Sequence, residues 1–506
     1  MAPDLIVEKK DVSRVLVLLL AALAIGIYLI ATTVLISKDG VIYIQNAQDF
    51  SSRPVDIIKG VAFPFGYPFL IFAAHKFIML FKDSSTVFTW LYTAQSVTLI
   101  CRIITLILLY YIGKSFVGGR RSFWAVLILI ILPYPAEFGS DVLRDWPHIM
   151  FLTAGFLLLL AGVKKNRYWM FGVAGLVSGL GHMIRPECAQ IVIYGIFWIG
   201  LRLLFPKNET GRLKLLYALL ILLIGFSIPV VPYVIVRGNA LPEKVERLFS
   251  FSAPENTKII QISNEENYNE VYAASGFPVE LLKAAGRLFE ELSDNLLYYF
   301  MLPLVLGFYF HFRRKSEVTD IERFFMPAFI IFNVTILILL YYDWGYISRR
   351  HSLPLVVFLV LYVPEGLEIM AHWFEEKFRR GRAQTDRQSR QLFFILLIIG
   401  VIICIPKLLK PSGADKPGYR AAAKWLRDNT GSKDIIAVPD LRISFYAERE
   451  GLKYSTEVPE GVDYLVRIVE GGEVVTDSDV AGQEKYSVSV DERKKSGKKL
   501  LIYRMM

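Results

Sequence analysis

Apolar runs of about the length needed to cross a hydrocarbon core, roughly 20 residues, recur along this chain from residue 15 to about residue 408. They cover approximately residues 15–36, 63–81, 86–112, 122–134, 148–163, 168–184, 188–205, 215–236, 296–312, 324–342, 350–368 and 391–408. A backbone in lipid has to satisfy its own polar groups, so runs of this kind fold as helices. With 54% hydrophobic residues the chain is also too apolar for an ordinary soluble enzyme. The pattern predicts a polytopic α-helical membrane protein, residues 1–409, with about 11–13 transmembrane helices. A polar tail, residues 410–506, reads as a small α/β domain.

Lys and Arg gather between the runs, at Lys9/Lys10/Arg14, Lys114/Arg120/Arg121, Lys164/Lys165/Arg167, Lys207/Arg212/Lys214, Arg313/Arg314/Lys315 and from Lys377 to Arg390. The positive-inside rule assigns all of these to the cytoplasmic side. It accounts for the net charge of +10 without a nucleic-acid partner. The first run is longer than a signal-peptide core and no small-residue cleavage site follows it, so it reads as a retained span. Parity then permits one net crossing between the first span and Lys114, although two runs lie there. The earlier one opens Phe63-Pro-Phe-Gly-Tyr-Pro68 and holds His75 and Lys76, and reads as interfacial or re-entrant. The loops at 37–62, 135–147, 237–295 and 343–349, together with the tail, then face outward. In the tail the residues predict a helix starting at Pro417, strands at 435–438, 464–468, 486–490 and 500–503, and a hairpin turn over Lys494 to Lys499. Cys101, Cys188 and Cys404 lie in or beside apolar runs and read as small buried side chains.

Between two runs lies a polar island holding Glu137, Asp141, Arg144, Asp145 and His148. Ionisable residues at a membrane boundary are costly, and several together mark a functional site. Asp39 stands just past the first span, with Tyr43 one helical turn further on. Lys59, the pair Arg185 and Glu187 in His182-Met-Ile-Arg-Pro-Glu187, and Arg349, Arg350 and His351 reach the same face. Blander readings exist for each: a lone boundary Asp is a solvated helix end, and Arg185 with Glu187 is a salt-bridged turn. Arg102, inside a run, pairs with a carboxylate or snorkels. Gly175, Gly179 and Gly181 let helices pack closely. Taken together, the carboxylates and cations suit transfer of a group from a lipid phosphate. A carboxylate accepts the proton of the incoming nucleophile, and Arg or Lys meets the departing phosphate. A lipid carrier cannot leave the bilayer, so its phosphate is met at the boundary.

Five stretches in this order resemble a family, the GT-C membrane glycosyltransferases of the protein O-mannosyltransferase and lipid A aminoarabinose transferase type. They are Asp39 to Ala47, Phe63-Pro-Phe-Gly-Tyr-Pro68, Leu143-Arg-Asp-Trp-Pro147, Gly179 to Glu187 and Arg349-Arg-His-Ser-Leu-Pro354. The resemblance implies a glycosyltransferase of the cytoplasmic (inner) membrane whose site and tail are extracytoplasmic. Its donor would be a polyprenyl-phosphate-linked sugar, and its acceptor a lipid, glycan or protein that the residues do not identify. Asp39 would be the catalytic base and Asp145 the second acidic residue, with Asp141 as its alternative. Lys59, Arg185 and Arg350 would meet the donor phosphate, and Tyr43, Arg144, His148, Glu187 and Arg349 complete the expected substrate-binding set. Gly40 stands where many relatives carry a second acid and His351 where Tyr is usual. No cofactor is therefore expected, with a divalent cation left open. A transporter or flippase of a lipid-linked sugar is the main rival, and an assembly subunit for envelope polysaccharide a third reading. The loop at 237–295, with Tyr268 and Tyr272, is a candidate to shape the acceptor site.

Overall fold

The apolar runs fold as helices in the order the sequence predicts, ahead of a mixed sheet. The computed structural model describes residues 8–60, 63–205, 211–238, 277–314, 318–378, 386–455, 457–470, 482–491 and 497–505. Residues 239–276 of the acceptor-loop candidate, Tyr268 and Tyr272 among them, and residues 494–496 of the expected hairpin turn lie outside the described residues. The first helices are α1 (Lys9–Thr32), α2 (Lys38–Asp49), α3 (Pro54–Lys59), α4 (Gly66–Ile78), α5 (Val87–Val117), α6 (Gly119–Ile131) and α7 (Pro133–Phe138). Next come α8 (Asp145–Lys164), α9 (Trp169–His182), a 3-10 turn (Pro186–Ala189), α10 (Gln190–Leu204) and α11 (Arg212–Arg237). The membrane part closes with α12 (Phe277–Asn295), α13 (Met301–Arg313), α14 (Asp320–Trp344), α15 (Arg349–Leu359), α16 (Val363–Phe378) and α17 (Asp386–Leu408).

Eight helical stretches among the described residues are long and apolar enough to cross a membrane, against the 11–13 crossings expected. The difference lies in the runs at 122–134, 168–184 and 296–312, which form helices of 13, 14 and 13 residues. At 1.5 Å per residue these are about 20 Å long, short of a hydrocarbon core of about 30 Å. The run at 63–81, read as interfacial or re-entrant, forms the 13-residue α4.

Close packing explains the glycines. A Cβ added at Gly175 would meet the Leu222 carbonyl oxygen at 2.1 Å, and one at Gly225 would meet the Gly172 carbonyl oxygen at 2.1 Å. Thus α9 and α11 touch backbone to backbone, which side chains larger than hydrogen would prevent. Arg102 departs from both expectations for it. Fully buried, it donates from an Nη to the Ile130 carbonyl at 2.9 Å and lies 5.8 Å from the centre of the Trp146 ring. Ile130 is in the last turn of α6, where carbonyls lose their intrahelical donors, so a backbone acceptor takes the place of a carboxylate.

The tail begins with α18 (Pro417–Asn429), then β1 (Ile435–Val438), α19 (Leu441–Ala447), β2 (Glu450–Lys453), β3 (Tyr464–Val469), β4 (Gly482–Ser489) and β5 (Lys499–Met505). The sheet order is β2-β1-β3-β5-β4. β1 pairs in parallel with β2 and β3, and β5 pairs antiparallel with β3 and β4. Tyr419, Ala422, Ala423 and Leu426 recur at helical spacing on the buried face of α18. The core beneath them is continuous with α2: Val41, Tyr43, Ile44 and Ala47 join Tyr446, Tyr464 and Ile502 in one apolar cluster.

Residues 34–37, between α1 and α2, have no helix to satisfy their backbone. The Val34 N–H donates to the Ser412 carbonyl at 2.9 Å and the Ile36 N–H to the Tyr446 hydroxyl at 3.2 Å. The Ile36 carbonyl accepts from Arg442 at 3.1 Å. The Ser37 N–H donates to Asp141 at 3.0 Å, and the Val142 N–H donates to the same carboxylate at 2.7 Å. Asp141 is therefore spent on backbone amides that set the start of α2, where the Ser37 hydroxyl accepts from the Gly40 N–H.

Two predictions follow from this packing. Gly225→Leu should destabilise the protein by about 3 kcal/mol, while Gly200→Ala, with nothing within 4 Å of its added carbon, should lose nothing; thermal unfolding of the purified chain in detergent reads both. Burial pushes the Asp141 carboxyl up to about 6, with the Val142 and Ser37 amides opposing the rise and Glu137 adding to it. The folded state thus holds this proton more tightly than the unfolded state. Its contribution to stability is full below about pH 4 and is lost as pH rises to about 6. The stability difference between wild type and Asp141→Asn should change across that interval; parallel curves would contradict it.

Candidate active site

Four charged side chains from four parts of the sequence form an alternating chain at the end of the helix bundle nearest the tail. Asp39, in the first turn of α2, accepts at Oδ2 from Arg350 Nη1 at 3.0 Å. Arg350 Nε donates to Asp145 Oδ2 at 3.2 Å, and Arg185 Nη2 donates to Asp145 Oδ1 at 2.7 Å. Local sequence sets each position. Asp145 opens α8, where the helix dipole favours a carboxylate. Arg185 precedes Pro186 and is extended, as a residue before proline prefers. Arg350 is in the first turn of α15, whose start is fixed by reciprocal bonds between Ser348 and His351.

Exposure divides the two acids. The Asp145 side chain is 1% exposed, with both oxygens in ion pairs, whereas that of Asp39 is 35% exposed. No hydrogen bond to Asp39 Oδ1 occurs among the described residues. Arg350, between them, is 27% exposed. One end of the chain is thus open to a reactant and the other is sealed.

Around this chain sit buried polar atoms with no hydrogen-bond partner among the described residues: the Tyr43 hydroxyl, Arg144 Nε, both ring nitrogens of His148, Arg185 Nε and Glu187 Oε2. Such atoms are rare in folded proteins because each costs about 1–3 kcal/mol. Six of them gather beside the Asp39–Arg350–Asp145–Arg185 chain. Tyr43 lies edge-on to Phe63 and Tyr67, with ring centres 5.2 and 5.1 Å away. Burial pushes its hydroxyl pKa up, Arg144 pulls it down and Asp39 raises it, with a net rise that keeps it a donor. Arg144 lies 5.2 Å from the centre of the Phe63 ring, and the Gly66 N–H donates to the Met183 carbonyl at 2.8 Å. The Phe63 to Pro68 turn therefore walls the site.

Three expected members stand apart. Asp141 serves backbone amides, as described above. Lys59 ends α3 exposed, with no ion pair to the cluster among the described residues. Arg349 pairs with Asp294 at 3.2 Å and stacks on Tyr134, 4.0 Å from the ring centre. Adjacent residues on a helix point about 100° apart, so Arg349 and Arg350 cannot both reach Asp39. Asp294 and Tyr134 were not anticipated. The signal was present in Asp294-Asn295, a polar pair just before the apolar run at 296–312.

The Arg350 guanidinium lies between the two carboxylates, and no group of three or more His, Cys, Asp or Glu side chains is placed to hold an ion among the described residues. A side chain at Gly40 would set its Cβ 2.9 Å from the Val142 Cβ, which leaves no room for a second acid there.

Comparison with known proteins agrees with this architecture. The sequence model of the dolichyl-phosphate-mannose-protein mannosyltransferase family matches residues 66–235. No curated protein matches in sequence. Among solved structures, the archaeal oligosaccharyltransferase AglB from Archaeoglobus fulgidus, in complex with an inhibitory peptide and a dolichol-phosphate, is similar with a TM-score of 0.57 at 12% identity. That likeness covers 90% of this chain and 69% of AglB. ArnT from Cupriavidus metallidurans is similar in its apo state with a TM-score of 0.55 at 9% identity, over 98% of both chains. Its complex with undecaprenyl phosphate gives 0.53 at 10% identity, over 97% of both chains. The chain is thus a multi-span membrane protein with the GT-C fold, as its ordered motifs suggested.

Proposed function

We propose that the protein transfers a sugar from a polyprenyl-phosphate-linked donor to an acceptor at the outer face of the cytoplasmic membrane. The observation that carries this reading is the graded chain from half-buried Asp39 through Arg350 to buried Asp145 and Arg185. In the reaction, an acceptor hydroxyl attacks the anomeric carbon as the bond to the phosphate oxygen breaks. Asp39 Oδ1 takes the hydroxyl proton as general base. The phosphate leaves with the bonding electrons and meets Arg350 and the unpaired Nε of Arg185, which are already in place and so need no reorganisation. Asp145 is assigned a positioning role: caught between two guanidinium groups, it aims both at the leaving group. Tyr43 and His148 supply further polar contacts to the donor. The dolichol-phosphate and undecaprenyl phosphate bound by the two structural neighbours support this class of carrier.

The test is sugar release from radiolabelled polyprenyl-phosphate sugars by the purified protein in lipid, with candidate acceptors present. Asp39→Asn should lower turnover at least 100-fold while donor binding persists. Donor binding without turnover in the wild type, with movement of the lipid-linked sugar between leaflets, would replace the transferase by a transporter. Stability separates the two acids independently of any substrate. Asp145→Asn should cost about 3–5 kcal/mol, because two guanidinium groups lose their shared partner in a buried site. Asp39→Asn, at the exposed end, should cost about 1 kcal/mol or less. Equal losses in thermal unfolding would contradict the graded burial.

A further inference from the structure

Away from the Asp39 site, α18 presents a second charged surface. Arg420, Lys424 and Arg427 follow one another at four and three residues, and so share a helix face. That face lines a cavity of about 500 Å³ together with Val34, Phe88 and Tyr446. Val34 lies just past the end of α1, and Phe88 begins α5, so the cavity is at the boundary where both spans leave the bilayer. No carboxylate lines it among the described residues. Arg427 has a neighbouring acid in Asp428 at 3.5 Å, and Lys424 is exposed.

Arg420 is held in an unusual way for a surface cation. Its guanidinium lies 3.9 Å from the centre of the Tyr446 ring and 5.0 Å from that of Phe88. Its Nη1 is buried and makes no hydrogen bond. Aromatic faces fix a guanidinium in orientation, and an Nη1 left without an acceptor among the described residues is a donor still to be satisfied. Phosphate oxygens are the acceptors that a guanidinium fork meets best.

A second cavity, of about 570 Å³, continues down the same two spans. It is lined by Leu23, Ile27, Ile30 and Ala31 of α1 and by Tyr92, Ser96 and Leu99 among others of α5. Tyr92 lies one helical turn beyond Phe88 on α5, and Ala31 lies in the last turn of α1 just before Val34, so the apolar groove adjoins the basic cavity.

We propose that these two cavities together bind an anionic lipid, with its phosphate on Arg420 and Lys424 and its hydrocarbon chain in the groove between α1 and α5. This site is separate from the Asp39 cluster and does not depend on the transferase reading. Tyr446 links the two, since its hydroxyl accepts the Ile36 N–H three residues before Asp39 while its ring supports Arg420.

The experiment is native mass spectrometry of the full-length protein in detergent, titrated with dioctanoyl phosphatidic acid, dioctanoylglycerol or inorganic phosphate. One phosphatidic acid should bind saturably per chain at this site, and dioctanoylglycerol should bind at least tenfold more weakly. Arg420→Gln should weaken phosphatidic acid about tenfold and Lys424→Gln severalfold. Lys433→Gln, an exposed cation on the same tail, should change nothing. Ser96→Trp, which fills the groove from an exposed position, should weaken the lipid and leave inorganic phosphate unaffected. Binding that is equal in wild type, Arg420→Gln and Lys424→Gln, or that is lost in Arg350→Gln but kept in Arg420→Gln, would overturn the proposal. Binding insensitive to Ser96→Trp would overturn the lipid assignment in favour of free phosphate.

Discussion

A buried carboxylate with cations on both oxygens organises the end of the bundle nearest the tail. Asp145 cannot remain ionised at 1% exposure without partners, and the partners it has come from residues 185 and 350. Three segments far apart in the chain are drawn together by that single requirement. The desolvation cost of such a cluster is large, and ion pairs of this kind add little net stability compared with apolar packing. What they add is placement: two guanidinium groups are fixed side by side at a membrane boundary. A lipid phosphate held at the same depth would find them already oriented.

The surrounding architecture serves this placement. The glycine contacts between α9 and α11 fix the helix that ends at His182, and with it the turn carrying Arg185. The Gly66 N–H, bonded to the Met183 carbonyl, presses α4 against that same turn. On the other side, α2 brings Asp39 within 3.0 Å of Arg350. Its position depends on Asp141 and on the tail, both of which bind the backbone ahead of it. The site is thus assembled from rigid pieces, and its most exposed acid is carried by the piece with the most supports.

Much of this was legible in the sequence. The apolar runs located the helices, because hydrocarbon solvent leaves a backbone few alternatives. The topology rule placed Asp39, Asp145, Arg185 and Arg350 on one face, where the structure joins them. The strands at Ile435, Tyr464 and Leu500 also follow from their composition. Less could be read about individual partners. Asp141 and Asp145 are four residues apart and chemically alike, yet one binds amides and the other guanidinium groups. Pairing of that kind is decided by tertiary neighbours. Arg102, whose partner is a carbonyl near a helix end, could not be resolved from residue types. The docking of the tail onto α2 joins residues about 400 positions apart and leaves no local pattern.

The order in which a ribosome delivers these parts has its own consequence. Ile36 and Arg442 are 406 positions apart, so at about 5–20 residues per second their contact waits roughly 20–80 seconds after the first loop has emerged. Until then the backbone ahead of Asp39 has solvent for several of its partners, and the loop waits unfinished beside the growing bundle. The tail completes what the first loop started, and a nascent chain cannot hold Asp39 in its final setting before the tail has arrived.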